Sequence, residues 1–117
     1  MITWLIEPRR ANLVKKWSGT NVHVPHSHNK LGSILTTFAH FVYQMSNENM
    51  VLSDIQTASG KNVDGVLCEL LFDVGLHSTN KQFGLSDFGQ EGLQLFTQQH
   101  ICNQRCEGLG LMRCNQQ

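Results

Sequence analysis

Near the end of the chain, His100, Cys102 and Cys106 place one imidazole and two thiols within seven residues. Cys102 and Cys106 are four apart, and on a helix that spacing puts both sulfurs on one face. His100 precedes that turn and can fold over the same point. Donors of this kind suit Zn²⁺, which is held by four ligands in closed structural sites. A fourth ligand must therefore come from a distant segment. His40 is the choice, because it sits among aromatic residues in Phe38-Ala39-His40-Phe41, where a solvated histidine is out of place. Cys68 and Cys114 compete for the role. The competing reading makes Cys102 and Cys106 ordinary buried helix cysteines and His40 a hydrogen-bonded core histidine.

A second constellation is acidic. Asp54 ends an apolar run, and Gln56, two residues on, shares its face if the backbone is extended. Asp73 ends a second apolar run in the same manner. Two strands that each deliver an oxygen ligand at their end can converge on one divalent cation. Mg²⁺ is usually held this way, by one or two carboxylates and substrate phosphates. A carboxylate near an acceptor hydroxyl can also orient or deprotonate it. The plainer alternative is that both aspartates cap turns. A third segment, Gly84 to Gly92, carries glycines at 84, 89 and 92. No Gly-Lys-Ser/Thr follows it, so it is not a phosphate-binding P-loop. It follows no clear strand, so the dinucleotide fingerprint fails too. A loop and helix start needing a permissive backbone is the bland reading.

These residues need elements to carry them. Leu31 to Met45 reads as a helix, with Leu31, Ile34, Leu35, Phe38, Val42 and Met45 on one apolar face. Met50 to Gln56 reads as a strand, Thr57 to Gly65 as a polar turn region, and Val66 to Phe72 as a buried strand. Val74 to Gly84 is expected as a loop. Ser86 or Asp87 can cap a helix running to about His100, with Leu93 and Phe96 inward. A short last helix is expected from Asn103 to Leu109, stopping at Gly110. Before all this, Trp4 to Trp17 offers two short strand-like pieces around a Pro8-Arg9-Arg10 turn, and Ser18 to Asn29 is a loop with His23, His26 and His28. The fold class is α+β: a small sheet with packed helices and a structural zinc site.

Composition narrows the function classes. The chain has 117 residues, enough for one small domain. Nine basic and nine acidic residues cancel, so no charge excess points to nucleic acid or an anionic membrane. No apolar run is long enough to span a bilayer. The N-terminus lacks a basic leader and a small-residue cleavage site, which argues for an intracellular, cytoplasmic protein. In a reducing compartment, cysteine clustered with histidine reads as a metal site rather than as disulfides.

Read together, several stretches resemble one family. They are Phe38-Ala39-His40-Phe41-Val42-Tyr43, Ser53-Asp54-Ile55-Gln56, Leu71-Phe72-Asp73, Gly84 to Gly92, and His100-Ile101-Cys102-Asn103 with Cys106 and Leu109-Gly110-Leu111. Their order and spacing look like the C-terminal half of alpha-kinases, the atypical protein kinases of the myosin heavy chain kinase and elongation-factor kinase type. The resemblance implies that His40, His100, Cys102 and Cys106 hold a structural zinc. It implies that Asp54 is the catalytic aspartate and that Gln56 and Asp73 bind Mg²⁺. Trp4-Leu5-Ile6-Glu7 looks like the hinge strand that holds adenine, with Glu7 in it. Gly84, Gly89 and Gly92 would belong to a glycine-rich loop linked to substrate. ATP and a protein substrate are the implied partners, and ATP-dependent transfer to Ser or Thr the implied activity.

This sequence departs from the family pattern in places. Thr57 stands where a Gly is usual, and Val74 where a Pro follows the metal-binding Asp. On this reading residues 1–114 are a C-lobe alone, with 115–117 a tail. The N-lobe and its ATP-binding lysine are expected to be missing, and the chain alone to be weakly active or inactive. The alternative is a zinc-stabilised, non-catalytic binding module derived from a kinase lobe.

Overall fold

The computed structural model describes residues 14–23 and 29–112. Glu7 and the expected hinge strand, His26, His28 and Cys114 lie outside the described residues. The elements, in order, are β1 (Val14–Lys16), α1 (Lys30–Met45), β2 (Met50–Ser53), β3 (Gln56–Lys61), β4 (Leu67–Leu71), β5 (Gly75–Ser78), α2 (Gly89–Gln99) and α3 (Gln104–Gly108). The α+β expectation holds, but the described residues form two antiparallel sheets, β1-β3-β4 and β2-β5, rather than two core strands.

The expected strand over Met50–Gln56 is broken. The backbone turns at Asp54, whose φ is +50°, so β2 ends at Ser53 and β3 starts at Gln56. The same happens on the neighbouring arm at Asp73, whose φ is +49°, between β4 and β5. Pairing shows why the two kinks coincide. Ser53 faces Gly75 in one sheet, and Thr57 faces Leu71 in the other. The four strands are thus one long hairpin folded at its waist, with both arms turning at the same level. Aspartate tolerates the left-handed conformation better than most residues.

Two further expectations change with this hairpin. Thr57 to Lys61 is strand, not turn, because β4 pairs along its whole length. Val74 to Gly84 is not all loop, because Gly75–Ser78 pairs with β2. The run Val66–Phe72 is also not a buried strand. Leu67 is 72% exposed and Leu71 40%, since β3 and β4 extend beyond the core. An apolar run looks the same whether two faces are covered or none, so pattern alone could not separate the cases.

Helix α1 begins where expected: the Asn29 side chain accepts the Gly32 N–H at 2.9 Å. Its buried stripe is rotated from the one expected. Gly32, Leu35, Ala39 and His40 face inward, whereas Ile34, Phe38, Phe41 and Met45 are exposed on the outer side. Trp17, Leu35, Ala39, Val51, Ile55, Leu93 and Phe96 form the core, and α1, the β2–β5 sheet and α2 enclose it. Trp17 also donates its indole N–H to the Thr57 hydroxyl at 2.9 Å, tying the segment after β1 to β3. Burying a side chain such as Phe96 contributes about 1.5–3 kcal/mol. Phe96 is fully covered and meets Tyr43 of α1, His23 and His100.

Candidate metal centre and catalytic cavity

His40 projects from the inner face of α1 and is almost wholly buried. His100 follows the last turn of α2, its N–H bonded to the Phe96 carbonyl at 2.8 Å, and it stacks on Phe96. Cys106 lies within α3 and is fully buried. Cys102 is not on that helix, contrary to the expected shared helical face. The chain from Ile101 to Asn103 is irregular, and Asn103 caps α3 by accepting the N–H groups of Arg105 and Cys106. Cys102 reaches the cluster from the approach to the helix instead.

The four donor atoms lie within 4.8 Å of one another. Cys102 Sγ is 3.7 Å from His40 Nδ1, and Cys106 Sγ is 3.8 Å from His100 Nε2. With zinc–ligand bonds near 2.0–2.3 Å, a tetrahedral ion separates its ligand atoms by roughly 3.3–3.8 Å. The donor chemistry suits zinc, and the two Cys–His distances match that separation. Supporting contacts are present. The His40 ring bonds to the Met112 backbone, and the Thr37 hydroxyl lies 3.6 Å from Cys106 Sγ. Such contacts orient ligands around a metal. Burial holds both imidazoles below the ordinary histidine range, His100 at about 4, where the proximity of His40 adds to the effect. Both thus offer neutral nitrogen, the form a metal takes. Cys68, on β4, is outside the cluster.

The second site forms at the waist of the folded hairpin. Lys16, Asp54, Gln56, Asp73, Val74, Gly75, Leu76, Phe83 and Ser86 surround an open cavity of about 670 Å³. Asp54, Gln56 and Asp73 are brought together, but not by strand alternation, since Asp54 sits on a kink. The Gln56 side-chain amide donates to the Asp73 carbonyl at 3.5 Å. That turns its NH₂ toward Asp73 and leaves its side-chain oxygen as an acceptor.

The Asp54 carboxylate takes the Thr20 hydroxyl at 2.8 and 3.1 Å, and Lys16 Nζ is 3.9 Å away. Its backbone N–H donates to the Gly19 carbonyl at 3.1 Å. Gly75 presses on this group: a Cβ there would fall 2.7 Å from Ser53 Oγ and 3.2 Å from Asp54 Oδ2. Thr20, Lys16 and Gly75 had no signal in spacing or periodicity. Thr20 approaches Asp54 because the segment after β1 runs alongside the kink, Lys16 because β1 pairs with β3, and Gly75 because β5 pairs with β2.

The glycine segment divides. Gly84 and Gly89 have positive φ, at +100° and +62°, and flank a loop whose Ser86 lines the cavity, as does Phe83 just before Gly84. Buried Asp87 organises that loop. Its carboxylate accepts the Ser78 hydroxyl at 2.5 Å and the N–H groups of Ser78, Gly89 and Phe83 at 2.8, 2.9 and 3.3 Å. The N-cap of α2 is Phe88 rather than the expected Ser86 or Asp87, and the Asp87 bond to the Gly89 N–H closes the turn that leads into the helix. Gly92 is inside α2, packed on the His77 ring, and a Cβ there would clash with it.

The family model described as the alpha-kinase family matches residues 2–106. The chain is 40% identical over 82 residues to alpha-protein kinase vwkA of Dictyostelium discoideum, covering 69% of this chain and 12% of that protein. It is 36% identical over 87 residues to myosin heavy chain kinase A of the same organism, covering 68% and 7%. Human eukaryotic elongation factor 2 kinase is 32% identical over 75 residues, covering 63% and 9%. The chain thus spans a small part of the curated relatives it matches. Among solved structures, the alpha-kinase domain of myosin-II heavy chain kinase A in complex with adenosine superposes with a TM-score of 0.70 at 30% identity, covering 91% of this chain and 36% of that one. The AMPPCP complex of the same domain gives 0.69 at 30% identity, covering 90% and 37%. With its sequence matched almost from end to end and its fold overlaid on a solved kinase domain, this chain belongs to the alpha-kinase family.

Proposed function

We propose that this chain carries the acceptor-orienting and Mg²⁺-binding side of a protein serine/threonine kinase that uses ATP. The observation behind this reading is the convergence of Asp54, Gln56 and Asp73 on one open cavity in a chain of this family. Asp54 accepts the hydrogen bond of the acceptor hydroxyl and aligns it for in-line attack. The Gln56 side-chain oxygen and the Asp73 carboxylate are the Mg²⁺ ligands, and the ion when bound neutralises charge on the transferring phosphate. Lys16 offsets the negative charge of Asp54 across the cavity. Glu7 belongs to the adenine-holding hinge. The loop bounded by Gly84 and Gly89 faces the protein substrate, while the contact of Gly92 with His77 supports a packing role for that residue.

His40, His100, Cys102 and Cys106 are the zinc ligands, and zinc when bound ties α1 to the α2–α3 tail. A thiolate cluster requires reduced cysteine, which supports an intracellular, cytoplasmic setting. Among the described residues, no helix is long and apolar enough to cross a membrane. The chain corresponds to 36% of the solved domain, which supports weak or absent transfer by these 117 residues alone.

The test is phosphate incorporation from ATP into a basic protein substrate, with and without Asp54→Ala. Transfer by these residues alone is expected to be weak, and whatever transfer is measured should fall about 10²–10⁴-fold in the variant. Transfer unaffected by Asp54→Ala overturns the catalytic assignment. Zinc bound without any ATP binding favours the non-catalytic module.

A further inference from the structure

His77 is fully buried between the two sites and belongs to neither ligand set. Its two ring nitrogens have fixed partners. The Phe88 N–H donates to Nδ1 at 3.0 Å, and Nε2 lies 2.5 Å from the Thr20 carbonyl oxygen. A backbone N–H only donates and a carbonyl only accepts, so the proton is on Nε2. Close packing on Gly92 of α2 holds the ring in place. Thr20, gripped at its carbonyl by His77, turns its hydroxyl to both oxygens of Asp54. A continuous path of hydrogen bonds therefore runs from the start of α2, through His77 and Thr20, to the carboxylate in the cavity.

We propose that His77 is a positioning residue for phosphoryl transfer: it fixes Thr20, and the Thr20 hydroxyl sets the rotation of the Asp54 carboxylate. This inference rests on the kinase reading above. Beyond Thr20, Asp54 has its backbone N–H bond to Gly19, the packing of Gly75 and the exposed Lys16 ammonium 3.9 Å away, and none of these is a directional hydrogen bond that sets the carboxylate's rotation. With one edge of the carboxylate engaged by Thr20, the remaining lone pairs face the cavity, where the acceptor hydroxyl must sit. A carboxylate free to rotate loses that alignment, an effect on turnover rather than on nucleotide affinity. The segment around Thr20 has a separate anchor, because Gln99 bonds to the Asn21 carbonyl at 2.9 Å and the His23 N–H at 2.6 Å. Losing the His77 bond therefore leaves the chain tethered after Thr20 by Gln99 and before it by the Gly19 carbonyl, which accepts the Asp54 N–H.

The experiment compares His77→Leu, His77→Gln, Thr20→Val and the His77→Leu/Thr20→Val double variant in the full protein. His77→Leu keeps bulk without polar atoms, and His77→Gln keeps a donor and an acceptor. The expected result is a fall in kcat of about tenfold for His77→Leu and for Thr20→Val, with KM for ATP unchanged. Most of the loss is recovered in His77→Gln, and the double variant is no worse than Thr20→Val alone. In parallel, the ¹³C resonance of the Asp54 carboxyl moves alike in His77→Leu and Thr20→Val and holds in His77→Gln. Additive losses in the double variant, wild-type turnover in Thr20→Val, or an unmoved Asp54 resonance each overturn the proposal. If His77→Leu fails to fold, Thr20→Val and His77→Gln still decide it by the same readings. Failure of the kinase reading is distinct: phosphorylation is then insensitive to Asp54→Ala, while the resonance still reports whether His77 and Thr20 are coupled to Asp54.

Discussion

The His/Cys cluster and the carboxylate cavity are both assembled from remote segments, yet one is sealed and the other open. Three of the four cluster residues are buried, and helix, tail and core surround them. The cavity residues are half-exposed or exposed and sit on two kinks of a folded hairpin. A structural metal site satisfies its ion with protein ligands alone, whereas a catalytic one keeps positions for water or substrate. The contrast also extends to backbone. The cluster uses ordinary conformations and depends on packing, while the cavity relies on two aspartates in the left-handed region, which are held there by the strands on either side.

The largest effect on stability is expected at the sealed site. With zinc at the cluster, as proposed, Cys106→Ala should abolish its binding and lower stability by on the order of 3–5 kcal/mol, because a metal held there would be coupled to folding of the tail. Cys68→Ala should keep full zinc. Metal analysis with denaturant unfolding checks both, and zinc retained by Cys106→Ala would dissolve the distinction between the two regions.

The core between the sites is the next place to press. Gly92→Ala forces a methyl into the His77 ring. Overpacking of this kind costs about 1–3 kcal/mol. Thermal unfolding should show that loss with zinc stoichiometry intact. Loss of zinc from this variant would mean that the two regions do not fail separately.

At the open site, Asp87 orders the loop. Burial pushes its carboxyl up, but hydrogen bonds from the Ser78 hydroxyl and from three backbone N–H groups outweigh that and hold it below the ordinary range. A depressed carboxylate stabilises the fold above its unfolded value, about 3.9, and that contribution is lost as pH falls through the lower folded value. Asp87→Asn should therefore destabilise the protein at neutral pH and flatten its acid limb below about pH 4. An unchanged acid limb in urea unfolding would remove Asp87 from this role.

The smallest effect at neutral pH is expected for His23. Burial chiefly, then His77, lowers it to about 4 against the opposing pull of Asp54. A neutral buried imidazole stabilises the fold above its unfolded value of about 6.5, and protonation removes that stability as pH falls toward 4. His23→Phe should leave stability near pH 7 little changed. It should also reduce the slope between pH 6.5 and 4 by up to about 1.4 kcal/mol per pH unit. A slope identical to that of the parent protein would show that His23 is not a proton acceptor of the unfolding transition.

Local chemistry determined a good deal by itself. The extent of α1 follows from its apolar periodicity. The grouping of His100, Cys102 and Cys106 follows from their nearness in sequence, and the oddity of His40 among aromatic residues marked the fourth member. Other features depended on long-range pairing that no local pattern encodes. The stripe of α1 that is buried was settled by which face meets the core, since Ile34 and Phe38 are as apolar as Leu35. Cys102 joins the cluster from an irregular approach rather than from a helical face, because Asn103 starts α3 one residue later. Asp54 and Asp73 meet because two arms of one hairpin kink at the same register, and the contacts of Thr20 and His77 exist only once the segment after β1 lies across that kink. Residue type and short spacing carry donor chemistry and helix period, both local. Convergence of segments far apart in the chain is decided by strand pairing and core packing, which tertiary structure alone supplies.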